Sequence, residues 1–243
     1  MSQYGFGSGS MWGIAAGSNP TPGRFGGLQE ASVDFNFYTK ELHGQYRFPI
    51  AVARGTGKIA GKAKYAQLQG RLMNDLFFNS TLATGKEEIA DNESGTIATG
   101  AVTVANSATW TQDLGVIDAS TGIPFVRVAS APATGQYSVA AGVYSFNVGQ
   151  NGVAVKISYA YTVAASGQKI TIANQLLGVA PTFKAVLTQL YGGMRTTLTL
   201  NAAVSAKISF ATKLEDFQQP EFDFAAFADS ANNIGTWSFA EAS

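Results

Sequence analysis

The groups that could do chemistry in this chain are its carboxylates, its lysines and a single histidine, His43, and their spacing argues against most of it. There is no cysteine, so no thiolate nucleophile, disulfide framework or cysteine-bound zinc can form. One histidine cannot build a multi-histidine metal site. A serine triad would have to run through it, and the polar stretch Glu41-Leu42-His43-Gly44-Gln45 reads as a solvated turn. The run Arg54-Gly55-Thr56-Gly57-Lys58-Ile59-Ala60-Gly61-Lys62 invites a phosphate-loop reading. That loop needs a glycine five positions before Gly-Lys and a Ser or Thr after it. Val52 and Thr56 occupy the first position for the two lysines, and Ile59 and Ala63 follow them. The carboxylate pairs Glu87/Glu88, Glu215/Asp216 and Glu221/Asp223 lie near each other in sequence, which does not place two carboxyls across a sugar cleft. Asp91, Glu93, Asp113 and Asp118 lack the oxygen-ligand spacing of a calcium loop. These residues read as no enzyme and imply no cofactor or metal.

The elements that must position these groups are mostly strands. Val33, Phe35 and Phe37 alternate with Asp34, Asn36 and Tyr38. The run 48–65 reads as a strand with Lys58, Lys62 and Lys64 on one face and Ile59, Ala63 and Tyr65 on the other. Leu68, Leu72 and Leu76 then form the stripe of a short amphipathic helix over 66–79. A polar loop is expected over 85–100, and a hairpin through Gly149-Gln150-Asn151-Gly152 into the strand 153–163. Residues 181–191 are open to strand or helix, with a strand favoured. The run 197–210 alternates most clearly, with Leu198, Leu200, Ala202, Val204, Ala206, Ile208 and Phe210 on one face. The expected fold is mainly β, sandwich- or barrel-like, with one short flanking helix.

Residues 1–27 form a glycine-rich segment with eight glycines, yet carry Tyr4, Phe6, Met11, Trp12, Ile14 and Phe25. Apolar anchors on a permissive backbone read either as an N-terminal arm that orders by lying on another surface or as an ordinary frayed terminus with some apolar residues. The chain has 243 residues, of which 13% are charged, and its formal net charge is zero. Neutrality excludes a basic nucleic-acid module acting through bulk electrostatics, and the composition excludes a disordered acidic chain. No run approaches a membrane helix, and the first residues lack a signal-peptide pattern, so the expected site of synthesis and retention is a cytoplasm. Charge is polarised: residues 1–73 carry eight basic and three acidic side chains, net +5, and 206–243 carry two and six, net −4. Such a chain can neutralise itself or attract a neighbouring copy head to tail. Low charge also fits a subunit packed on several sides, which buries surface that a monomer must keep charged.

Three stretches resemble the major tail tube proteins of long-tailed, siphovirus-like bacteriophages. They are Tyr4-Gly5-Phe6-Gly7-Ser8-Gly9-Ser10-Met11-Trp12-Gly13, the unit from Gly55-Thr56-Gly57-Lys58 to Phe77-Phe78, and Phe222-Asp223-Phe224-Ala225-Ala226-Phe227-Ala228-Asp229. The resemblance implies a β-sandwich with a flanking helix that forms hexameric rings. The rings stack into a tube, alongside other tail proteins, through which DNA passes as cargo. The protein would then sit in the virion tail after synthesis in the host cytoplasm. It divides the chain into the arm 1–27, a first tube segment 28–96, an inserted β subdomain over 97–165 and a second tube segment 166–243. The arm and the loop 79–97 become candidate ring-to-ring contacts, and strands 33–42, 48–65 and 197–210 candidate tube wall. Candidate assembly residues are Tyr4, Phe6, Trp12 and Phe25 in the arm, and Lys58, Lys62 and Lys64 opposed to Glu215, Asp216, Glu221 and Asp223. Two other readings fit the same composition: a β-sandwich module binding carbohydrate or a receptor, and a capsid decoration or connector subunit.

Overall fold

Long runs of alternating side chains put 58% of the residues in strands and 6% in helical turns, with three sheets, one short helix and no barrel closure among the described residues. The fold is thus mainly β and sandwich-like, as the alternation predicts. The computed structural model describes residues 4–67 and 69–240. It divides into two compact units: the residues up to Thr81 with those from Ile170 onward, and Leu82–Lys169 between them. The second unit starts earlier than residue 97, because most of the polar loop expected over 85–100 belongs to a strand, Leu82–Thr96.

In chain order the strands are β1 (Ser10–Ala15), β2 (Gly23–Arg24), β3 (Leu28–His43), β4 (Pro49–Tyr65), β5 (Leu82–Thr96), β6 (Ala101–Thr103) and β7 (Trp110–Asp118). They continue as β8 (Val126–Arg127), β9 (Gln136–Ala140), β10 (Val143–Phe146), β11 (Ala154–Ile170), β12 (Thr182–Tyr191), β13 (Met194–Ser209), β14 (Glu221–Phe227) and β15 (Gly235–Ser238).

The first unit is one large sheet in the order β2-β1-β12-β13-β14-β4-β3, with β15 paired to β13 beside this path. The glycine-rich segment does not remain an arm. Six of its residues, Ser10 to Ala15, pair with Thr188 to Phe183 of β12. Its glycines serve close packing: a Cβ on Gly13 would meet the Leu76 side chain at 2.9 Å. The helix is shorter than 66–79. A single turn α1 (Gly70–Met73) passes into a π-helical turn, Asn74–Phe78. It ends there because Asn79 adopts φ 44° and the Asn74 amide grips Ser80, donating to its carbonyl at 2.7 Å and accepting from its N–H at 3.1 Å. Leu72 and Leu76 are buried as expected, and Leu68 lies outside the described residues.

Under that turn sits an aromatic core. Phe222 is fully buried, with ring centroids 5.3 Å from Phe25, 5.2 Å from Phe77, 5.7 Å from Phe183 and 5.4 Å from Phe224. Burial pushes the Tyr65 hydroxyl up to about 12. Along β13 the alternation slips. Phe183 pairs with Ala203 but Ala185 with Leu200, so β13 holds an extra residue, and Ala203 rather than Ala202 enters the core.

The glycines of the Gly-Lys run have a packing role. Gly61 pairs across strands with Phe224, whose ring lies over it closer than a Cβ permits, and Gly57 pairs with Phe37, whose ring a Cβ there would meet tightly at 3.1 Å. Gly61→Val is therefore expected to lower unfolding free energy by about 1–3 kcal/mol through overpacking against a buried ring. Denaturant titration checks this, and a change below about 0.5 kcal/mol would contradict it.

The second unit pairs a four-stranded sheet, β6-β10-β9-β8, with a three-stranded sheet, β5-β11-β7. Residues of both sheets, among them Val116, Tyr137, Tyr144, Phe146 and Ile157, form one core. The Asn151-Gly152 turn does not close a hairpin. It follows a tight turn at Val148–Gln150 and carries the chain from β10 in one sheet to β11 in the other.

Candidate functional site

The hairpin β3–β4 is the least expected feature. Its strands stay paired from Leu28–Tyr65 out to His43–Pro49, but β14, the only other strand pairing with β4 among the described residues, ends opposite Ile59. Beyond that point the hairpin runs on as two strands. It carries apolar side chains on both faces and at its turn that the described residues of this unit leave exposed: Phe37 is 51% exposed and Phe48 81%, and Tyr38, Leu42, Tyr46, Ile50 and Val52 are exposed too. Among the described residues no strand pairs with the outer edge of β3, so alternate residues along this sixteen-residue strand offer open backbone groups. Local packing stiffens the hairpin base, where the Arg54 guanidinium lies 4.7 Å over the Phe37 ring and Phe35 stacks on Trp237 at 6.1 Å.

Where β14 stops, the sheet splits, because β15 continues along β13 while the hairpin runs past it. The gap is an apolar groove of about 550 Å³ lined by Phe35, Phe37, Leu198, Phe227 and Trp237, with Lys58 on its wall. At the other end of β14 a loop over 210–219 turns at Lys213–Asp216 and holds Leu214 and Phe217 out into solvent.

The residues expected to drive assembly separate into groups. Tyr4 and Phe6 are exposed, Phe6 resting 5.9 Å from the Tyr191 ring. Trp12 is half-buried in β1 under Arg24, 5.5 Å from its ring. Phe25 is a core residue between Tyr65 and Phe222, so it presents no outer surface. Lys62 does not wait for another copy: its ammonium donates to Glu221 at 3.2 Å within the chain. Their hydrogen bond, with charge attraction behind it, raises Lys62 and lowers Glu221 from their ordinary values. Lys64 stands in register with Glu221, and Asp223 with Lys62. One carboxylate oxygen of Asp223, Oδ1, is buried without a hydrogen-bond partner among the described residues. Lys58, Glu215 and Asp216 remain exposed, and only Asp216 has an ion partner among the described residues, Lys213 at 3.4 Å. The lysine-bearing strand and the late carboxylates are therefore brought together at Lys62–Glu221 and kept apart at Lys58 and Glu215.

The second unit holds a polar cluster that no sequence spacing announced. The Asp113 side chain on β7 is 3% exposed. It accepts from the hydroxyls of Tyr137 on β9 at 2.7 Å and Tyr144 on β10 at 3.0 Å, and from the Gly115 N–H at 3.1 Å. Arg127 lies 3.4 Å away. Two phenols and a carboxylate thus tie one sheet to the other. Burial first, then Asp113, raises Tyr137. Burial also raises Tyr144, where the Trp110 N–H opposes and Asp113 assists. A phenol raised in the fold is stabilising below its unfolded value near 10, and that contribution fades as pH rises above it. The second unit is accordingly expected to lose stability progressively above about pH 10, and Tyr137→Phe/Tyr144→Phe to show a flatter alkaline profile. Equal alkaline slopes for both proteins, followed by near-UV circular dichroism, would contradict this assignment.

Among the described residues no group of three or more His, Asp or Glu side chains converges on a metal-sized site. No helix among them is long and apolar enough to cross a membrane. No protein-family model matches the chain, and no curated protein matches it.

Proposed function

We propose that this chain is a structural subunit that assembles with copies of itself, in stacked rings forming a hollow tube of the kind that long-tailed bacteriophages build, with DNA as passing cargo rather than ligand. The observation that carries this reading is the β3–β4 hairpin, which extends a folded sheet with exposed apolar side chains and an edge left unpaired by the described residues. A lone soluble subunit gains nothing from such a surface and risks aggregation through it. A subunit whose neighbours cover it gains the burial. A heterologous contact of this kind closes a ring if the rotation between copies closes, and rings then stack. Lys62 is already neutralised by Glu221 within the chain, which suits a wall that must not grip a polyanion.

Purified full-length protein examined by negative-stain microscopy and light scattering is expected to give rings and tubes. A lasting monomer at high concentration that binds glycans instead would overturn the proposal in favour of a binding module.

A further inference from the structure

We infer that the loop over 210–219 of one copy docks into the split-sheet groove of the next. This rests on the self-assembly reading and gives it a direction.

The groove and the loop have matching chemistry. Phe35, Phe37, Phe227 and Trp237 make the groove apolar, and its one charged wall residue is Lys58. Arg54, over Phe37, adds a second cation beside it. Neither Lys58 nor Arg54 has an ion partner among the described residues. The loop offers two large apolar side chains, Leu214 at 99% exposure and Phe217 at 88%. Between them stand two carboxylates. Lys213 takes Asp216, and Glu215 is left without an ion partner among the described residues. Apolar anchors flanking an unspent carboxylate fit an apolar groove flanked by unspent cations, and the like-charged alternative, loop against loop, is disfavoured.

Geometry excludes the contact within one copy. The loop leads into Glu221 at the start of β14, and the groove opens at Ala226–Phe227 at its end. Six residue steps of strand separate them by roughly 20 Å. Donor and acceptor surfaces at opposite ends of one strand are a head-to-tail pair. Copies related along the strand direction bring them together without any refolding. This contact runs along the strands, whereas the open edge of β3 offers pairing across them, so the two surfaces supply two different directions of growth.

The absence of cysteine makes the test clean. A chain carrying Leu214→Cys and Thr236→Cys, both at exposed positions, is oxidised mildly under assembling conditions. Loop-to-groove docking gives a ladder of covalent trimers and higher species, whereas either single variant stops at dimers. Glu215→Lys is expected to weaken assembly about twofold to fivefold, and adding Lys58→Glu to restore it. If wild type assembles but the double variant stops at dimers, the docking inference is wrong and the assembly reading survives. A ladder from Leu177→Cys with Thr236→Cys in its place would assign the groove to the exposed, uncharged 172–179 loop instead. A wild type that never leaves the monomeric state, with no ladder, overturns both.

Discussion

A chain in which Tyr38–Thr56 is replaced by Asn-Gly is expected to fold and to remain monomeric where the full chain assembles. The cut removes the part of the hairpin beyond the Phe37–Gly57 pair, and an Asn-Gly turn closes two antiparallel strands in the favoured handedness. Nothing in the aromatic core is touched, since the core residue of β3 is Leu28 and those of β4 lie from Ile59 to Tyr65. The loss to assembly is large because Leu42, Tyr46, Phe48, Ile50 and Val52 go together. Fully burying one such side chain contributes about 1.5–3 kcal/mol. Recovering half of that for all five amounts to about 4–7 kcal/mol, which raises the concentration needed for assembly about a thousandfold or more. Light scattering across a dilution series reads the effect directly. Tubes or rings formed by the shortened chain at the wild-type concentration would remove the hairpin from the assembly surface.

Phe222→Ala is expected to destabilise the first unit by about 3–5 kcal/mol, a large part of the 5–15 kcal/mol typical of a whole domain. Four aromatic rings surround this side chain and belong to different parts of the chain: Phe25 before β3, Phe77 in the π turn, Phe183 on β12 and Phe224 on β14. Collapse into the vacated space would need all four to move, so little relaxation is available. The same variant leaves the second unit, with its own core, as an internal control. Chemical denaturation followed by near-UV circular dichroism should show an early transition for one unit only. A shift under about 1 kcal/mol would mean that the rings reorganise freely.

Strands were legible wherever alternation was strict, and β3, β4 and β13 fall close to where the pattern puts them, while 181–191, which the pattern left open to a helix, is the strand β12. Alternation reports that one face will be covered, but not by what. Phe35 and Phe37 carry the same signature as a half-buried strand, yet Trp237 and Arg54 cover these rings only in part and Phe37 stays 51% exposed. Glycine content misled in the opposite sense. The segment 1–27 looked too permissive for a strand, but Gly13 is small because Leu76 presses on it, and Met11 beside it is core. The helix stripe gave Leu72 and Leu76 correctly while overstating the length, since the Asn74–Ser80 bonds that end it are long-range neither in sequence nor in any periodic pattern. Lys62–Glu221 joins residues far apart in sequence, and charge counts could say only that such pairs were affordable. The Asp113 cluster needed three strands from two sheets, and no spacing along one chain encodes that.

The second unit has a consequence for how this chain can be edited. It enters on β5 and leaves on β11, and these two strands are neighbours in the same sheet. Residues near its ends touch: a Cβ on Gly167 would meet the Lys86 side chain at 2.8 Å. A segment whose entry and exit lie side by side can be lifted out, exchanged or enlarged while the ends it leaves behind are joined by a short turn. The chain between Thr81 and Ile170 therefore behaves as a socket. Whatever compact module is seated there, the aromatic core of the surrounding unit is built from residues that module does not supply.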